Sequence, residues 1–241
     1  MLDWLRRPAD EVPMLALPGG DLPIVIRRLA QARRMTLRLA PDGSEIRVSM
    51  PKWGRTAEAL AFANARKDWL QAQLDRLPRA APPLPGGTVP FRGEVLRVEH
   101  IASAPRRPVL DDGAVVLGGP ETSIDSRLRR WLESEAKALL AADLDHFCAA
   151  AERPVPALAL SSARRRWGSC AGDGTIRINW RLVMAPDFVR RSVVAHEVAH
   201  LVHFDHSPRF HAFLAAIYDG DIKAADRWLK QQGRTLYAPF G

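Results

Sequence analysis

At 241 residues, 47% hydrophobic and 26% charged, the chain has material for one large or two small cores and is neither disordered nor fibrous in composition. Its apolar runs are far too short to cross a membrane. Two cysteines, Cys148 and Cys170, cannot form a disulfide framework or, alone, a cysteine-rich zinc site, so a reducing cytoplasm is expected. The net charge of +8 points either to a polyanionic partner, nucleic acid or nucleotide phosphate, or to an arginine-rich composition without one.

Residues 1–20 read as a loosely ordered lead-in closed by Pro18-Gly19-Gly20, without the apolar run of a signal peptide. A β-rich region with one long helix is expected over 21–120. Ile24 to Leu29 forms a first strand. Met35, Leu37 and Leu39 alternate with polar residues, Pro41 to Ser44 is turn chemistry, and Ile46, Val48 and Met50 alternate again. These segments predict an antiparallel hairpin with one buried face, and Arg34, Arg38 and Arg47 on the other. Leu60, Ala63, Leu70 and Leu74, with Phe62 and Trp69 beside them, predict a single helix from Thr56 to about Leu77. Pro78 stops it, and Pro78 to Pro90 reads as a linker or long loop. Further strands are expected at 94–101, 108–110 and 114–117, with Asp111-Asp112-Gly113 as a turn. No internal repeat stands out.

A second region is expected over 121–241. Its longest helix runs from Ser123 to about Ala151, with Ile124, Leu128, Trp131, Leu132, Leu139 and Ala142 as the apolar stripe. Glu135 and His146 fall inside that stripe, either as satisfied buried polar groups or as support behind a metal site. A short strand at 157–161, the segment Arg164 to Cys170, an Asp173-Gly174 turn and an alternating strand at 175–180 follow. Pro186 sits near the first turn of a helix running to about His203. Ser207-Pro208 opens another through Ala216, and residues 221–232 form the last, ending at Gly233.

The helix after Pro186 carries His196-Glu197-Val198-Ala199-His200. Residues four apart share a helix face, so both imidazoles can hold one Zn²⁺, and the intervening carboxylate can reach the water on that ion. A catalytic zinc needs a third protein ligand, and His203, Asp205, His206 and His211 are near in sequence. Seven residues of helix place His203 about 10.5 Å from His196, which ranks His206, beyond the helix end, first and Asp205 second. Glu197 then acts as general base in metal-assisted hydrolysis.

These residues resemble the YgjP-like zinc metallopeptidases, related to the SprT-like and WLM groups of zincins. The resemblance rests on Arg166 to Cys170 with Gly174, Ile176 and Asn179, on Pro186 with His196 to Leu201, and on His206-Ser207 with Phe210. It implies an α+β fold in which a zincin-like catalytic domain packs its active helix on a small sheet, preceded by an antiparallel β-rich region. It implies one zinc per chain held by His196, His200 and His206, with Glu197 as catalytic acid/base. Trp167 and Asn179 are expected to line the cleft floor, Trp167 alternatively being a core residue, with Arg166 and His211 on the substrate side; His211 departs from the aromatic usual after Phe210. The substrate expected is a peptide or protein. Alternatives are a nucleotide phosphohydrolase or pyrophosphatase on the same site, favoured by Arg164 to Arg166, and a SprT-like protease recruited to nucleic acid through Arg34, Arg38 and Arg47. A binding module with a structural zinc fits least, since such sites close with four protein ligands and need no Glu197.

Overall fold

A computed structural model describes residues 12–40, 43–75 and 82–240 as an α+β fold with three small mixed sheets. The chain divides into two units, Met1–Pro78 and Arg79–Gly241.

In the first unit, β1 (Met14–Leu15), β2 (Leu22–Leu29), β3 (Thr36–Leu39) and β4 (Ile46–Pro51) form a sheet in the order β1-β2-β4-β3. The expected hairpin is present, with Leu37 opposite Val48 and Leu39 opposite Ile46. Ile46, Val48 and Met50 are fully buried. Two expectations change. Met14 and Leu15, assigned to the loose lead-in, pair with β2, and β2 runs parallel to β4, so the region is mixed rather than antiparallel. Residues 1–11 of the lead-in and Pro41-Asp42 of the turn lie outside the described residues.

The single helix expected after β4 is two: α1 (Thr56–Asn64) and α2 (Lys67–Asp75). At the break, the Arg66 guanidinium donates to the Phe62 carbonyl and stacks on the Phe62 ring, while the Arg66 backbone N–H turns to Ala63. A side chain thus takes the carbonyl that a continuing helix would give to the backbone. Ala59, Ala63 and Leu70 cover the sheet, whereas Trp69 points outward.

In the second unit, β5 (Thr88–Phe91), β6 (Glu94–His100), β7 (Val109–Asp111) and β8 (Ala114–Leu117) are ordered β5-β6-β8-β7. Val89, Val98 and Val115 share one core with Leu128 and Leu132 of α3 (Ile124–Ala150) and Val194 of α4 (Asp187–Ala199). That shared core moves the division between units from residue 120 to Pro78. The third sheet holds β9 (Leu158–Ser161), β10 (Gly168–Cys170) and β11 (Ile176–Asn179) in the order β10-β11-β9. Helices α5 (Pro208–Ile217), capped by Ser207, and α6 (Ile222–Gln232), capped by Asp221, form as expected, and a 3₁₀ turn, Gly233–Tyr237, follows them.

All three sheets contain one unit: a strand, then a hairpin whose second arm lies parallel to that first strand. The pairings β2∥β4, β6∥β8 and β9∥β11 repeat, although the sequences show no matching period. Backbone pairing needs only an apolar alternation on one face, which many different side chains satisfy.

On α3 the buried line is Leu128, Leu132, Ala136, Leu140, Leu144 and Phe147, so Glu135 is only half-buried and His146 is exposed. The buried acid of this helix is Asp143, bound at 2.7 Å by Arg190 of α4; their side chains are 7% and 3% exposed. Arg190 also donates to Asp187 at 2.5 Å, and Asp187 receives Arg92 from the β5–β6 turn, again at 2.5 Å. That turn has Arg92 at φ 52° and Gly93 at φ 86°, and its N–H groups donate to Val183 and Met184. A Cβ on Gly93 would lie 2.9 Å from the Pro186 backbone. The start of α4 is therefore gripped by a loop, two arginines and α3.

Removing one member of a buried ion pair strands the other, at about 3–5 kcal/mol, while an apolar pair of similar volume is often tolerated. Asp143→Ala should lose about that much in urea unfolding, and Asp143→Leu with Arg190→Met should recover most of it. An Asp143→Ala chain as stable as wild type would show that the pair does not secure α4. Burial disfavours the charged form of Asp187, but the hydrogen bonds and charges of Arg92 and Arg190 outweigh it and hold its carboxyl below the ordinary 3.8. A depressed folded value stabilises above the unfolded one and is lost as pH falls through the folded value. Asp187→Asn should therefore flatten the loss of stability below about pH 4, read from thermal melts between pH 3 and 6.

Candidate metal centre

Helix α4 ends at Ala199 with His200 as its C-terminal cap, short of the expected His203. Leu201 and Val202 donate back three residues, to Val198 and Ala199, tightening the chain into turns. Pro186 is the N-cap, next to the first turn as expected. The early stop lets the chain reverse and bring His206 back: Ser207 accepts the Phe210 N–H, starts α5, and leaves His206 one residue before that cap.

The result is a cluster of His196, His200 and His206 with one ring nitrogen from each within 4.8 Å of the others. His196 Nε2 and His206 Nε2 are 3.1 Å apart. Two ligand nitrogens of a tetrahedral zinc, each about 2.0–2.1 Å from the ion, are separated by about 3.3 Å. His200 directs Nδ1 at the His203 carbonyl, 3.1 Å away, which leaves Nε2 free as a ligand atom. Burial, then the charges of His200, His206 and His211, lower His196 to about 4. It is therefore a neutral imidazole near neutral pH, as a metal ligand must be. The fully buried Phe210 ring lies 4.9, 4.7 and 4.8 Å from the rings of His196, His200 and His206. The geometry and the apolar backing fit a metal ion bound by these three residues.

Glu197 is 6% exposed and faces β10. Burial pushes its carboxyl up to about 7, opposed by the Cys170 backbone N–H and the charge of Arg166. Gly168 makes room for it: a Cβ there would come within 2.6 Å of Glu197 Cγ and 2.8 Å of Cδ. Glycine within a strand signals such a close approach. Phe210 carried no such clue beyond its position after Ser207.

The other expected residues divide. Arg166 is exposed and its charge bears on Glu197; His211 is exposed beside His206 at 6.4 Å between rings. Trp167 is half-buried against Tyr237. Asn179 is fully buried, donating to the Ala163 carbonyl and accepting from Arg181 N–H. It shapes the turn after β11 and offers no surface to a cleft. His203 contributes its carbonyl rather than its ring, which sits near Phe213. Asp205, the second-ranked ligand, is exposed and outside the histidine cluster.

Three converging imidazoles beside a buried carboxylate form a group that could hold a metal ion. The chain belongs to the YgjP-like family: the description "YgjP-like, metallopeptidase domain" matches residues 33–232. It is thus a metallopeptidase-family protein whose domain implies a metal ion. No curated protein matches it significantly. Among solved structures it is similar to the metallopeptidase zymogen of Pyrococcus abyssi abylysin, with 18% identity, 41% of this chain and 96% of that one covered, and a TM-score of 0.34.

Gly168→Ala should displace the Glu197 carboxyl while leaving the three histidines in place. The expected outcome is undiminished metal content with hydrolysis reduced at least about tenfold, in keeping with the sensitivity of catalysis to small misplacements. Unaltered turnover would mean that the Glu197 position is not set by β10.

Proposed function

We propose that the chain is a zinc peptidase in which His196, His200 and His206 hold one zinc ion and Glu197 is the general base. The observation that carries this reading is the convergence of the three ligand nitrogens next to a buried carboxylate on the same helix. A zinc ion bound there supplies Lewis-acid polarisation of a water and of the scissile carbonyl. The chain's own residues do the rest. Glu197 takes the water proton and returns it to the leaving amine, a task suited to a carboxyl that burial has raised to about 7. The Cys170 N–H orients that carboxyl from β10. The His203 carbonyl holds His200 in the tautomer that presents Nε2.

Substrate binding is supported by the edge position of β10. Trp167 and Ala171 bond across to Asn179 and Thr175. By antiparallel alternation, Gly168 and Cys170 then turn their backbone groups away from β11, the Cys170 N–H being taken by Glu197. An extended peptide can add to such an edge, with Arg166 and His211 at its flanks. Two free cysteines, Cys148 and Cys170, suit a reducing cytoplasm. Among the described residues no helix is long and apolar enough to cross a membrane.

Glu197→Gln should retain about one zinc per chain and lose about 10²–10⁴-fold in peptide hydrolysis, whereas His200→Ala should lose the metal. Both are read by metal analysis and a panel of casein, short peptides and nucleoside triphosphates. Hydrolysis of triphosphates alone, sensitive to Glu197→Gln, would replace this reading with a phosphohydrolase. Full peptidase activity in Glu197→Gln would remove Glu197 from its role.

A further inference from the structure

A cavity of about 630 Å³ opens at the N-terminal end of α3, lined by Arg106, Arg107, Arg127, Arg130, Ser123 and Trp131 among others, with no acidic residue in its lining. None of its residues belongs to the histidine centre. Arg127 is the informative member. It is 8% exposed, and its guanidinium donates to the backbone carbonyls of Ser123 (3.1 Å), Pro120 (2.5 Å), Gly118 and Arg106. Carbonyl dipoles satisfy its N–H groups, but among the described residues no carboxylate pairs with its charge. Arg190, 3% exposed, by contrast meets two carboxylates. A buried cation without a counter-charge is costly, and an anion entering the cavity removes that cost.

The surroundings favour the same ligand. Arg106, Arg107 and Arg130 are exposed at the rim, and no ion pair engages them among the described residues. Ser123 is the N-cap of a 27-residue helix, whose positive end adds to the field. Of the acids at this end of α3, Glu121 lies 3.4 Å from His100, and Asp125 of the first turn is exposed and outside the cavity lining. Four guanidinium groups around a cleft suit the oxygens of phosphate, which arginine meets with paired hydrogen bonds. A cavity of this size accommodates a nucleotide-sized molecule.

We propose that this cavity binds a small phosphate-bearing ligand, with Arg106, Arg107 and Arg130 contacting the phosphate and Arg127 as the fixed charge behind it. The site is separate from the hydrolytic centre. The test is calorimetric titration of the full chain with inorganic phosphate and with ADP, in wild type, in Arg107→Ala/Arg130→Ala, and in His200→Ala. The two rim arginines are exposed, so their removal leaves the fold intact, as a thermal melt will verify. Wild type and His200→Ala should bind about one ADP with the same affinity, and the rim variant should bind at least about tenfold more weakly. Phosphate should also raise the melting temperature of wild type more than that of the rim variant. Equal affinity in the rim variant, loss of binding in His200→Ala, or absence of binding by both probes each overturns the proposal. So does tight binding of a 20-nucleotide single strand through these arginines by a chain that ignores ADP, which would make the cavity part of a nucleic-acid surface.

Discussion

The buried contact between Arg190 and Asp143 constrains the rotation of α4, and the site depends on that rotation. Two charges withdrawn from water are held together only where their geometry is good. At 100° per residue, Glu197 lies about 20° from Arg190 around the helix, and His196 and His200 lie about 80–120° away. Seating Arg190 on α3 therefore turns Glu197 inward and leaves the two imidazoles on the flank. This is the arrangement observed: Glu197 is buried, and both histidines are half-exposed. Asp187, Arg92 and the β5–β6 turn hold the same helix at its start, so α4 is fixed in both rotation and position.

On that helix, the remaining geometry comes from neighbours with small or rigid side chains. Gly168 brings the β10 backbone against the Glu197 side chain, and Cys170 N–H meets its carboxyl. Phe210 stands behind all three imidazoles. It occupies that place because Ser207 caps α5 and thereby fixes the distance from His206 to the first helical turn. An oriented metal site needs such supporting contacts as much as its ligands.

The positive charge of the chain is resolved by the fold into different roles. Arg92 and Arg190 are matched by Asp187 and Asp143 and secure a helix. Arg47 is matched by Glu45 on the outer face of the first sheet, beside the exposed Arg38. Arg127 is surrounded by carbonyls alone, with three further arginines around the same cavity. A net charge of +8 says nothing of this division, since charge matching is made between residues such as Arg190 and Asp143 that lie far apart in the chain.

The sequence by itself determined what depends on neighbours within a few residues. The His196–His200 spacing follows from helical pitch. The β3–β4 hairpin follows from alternation of apolar residues, and the starts of α5 and α6 follow from Ser207 and Asp221 as caps. Helix rise also placed His206 above His203 among the possible ligands. What only the tertiary structure decided depends on contacts between distant segments. Those are the parallel returns in the three sheets and the core that joins residues 88–117 to α3 rather than to the first unit. They include the exchange of Glu135 and His146 for Asp143 as the polar group on the face of α3, and the burial of Asn179 away from any cleft. A helical stripe broad enough to pack admits more than one rotation, and burial of a polar side chain is settled only by its partner. For Asp143 that partner is 47 residues away, beyond the reach of any local pattern.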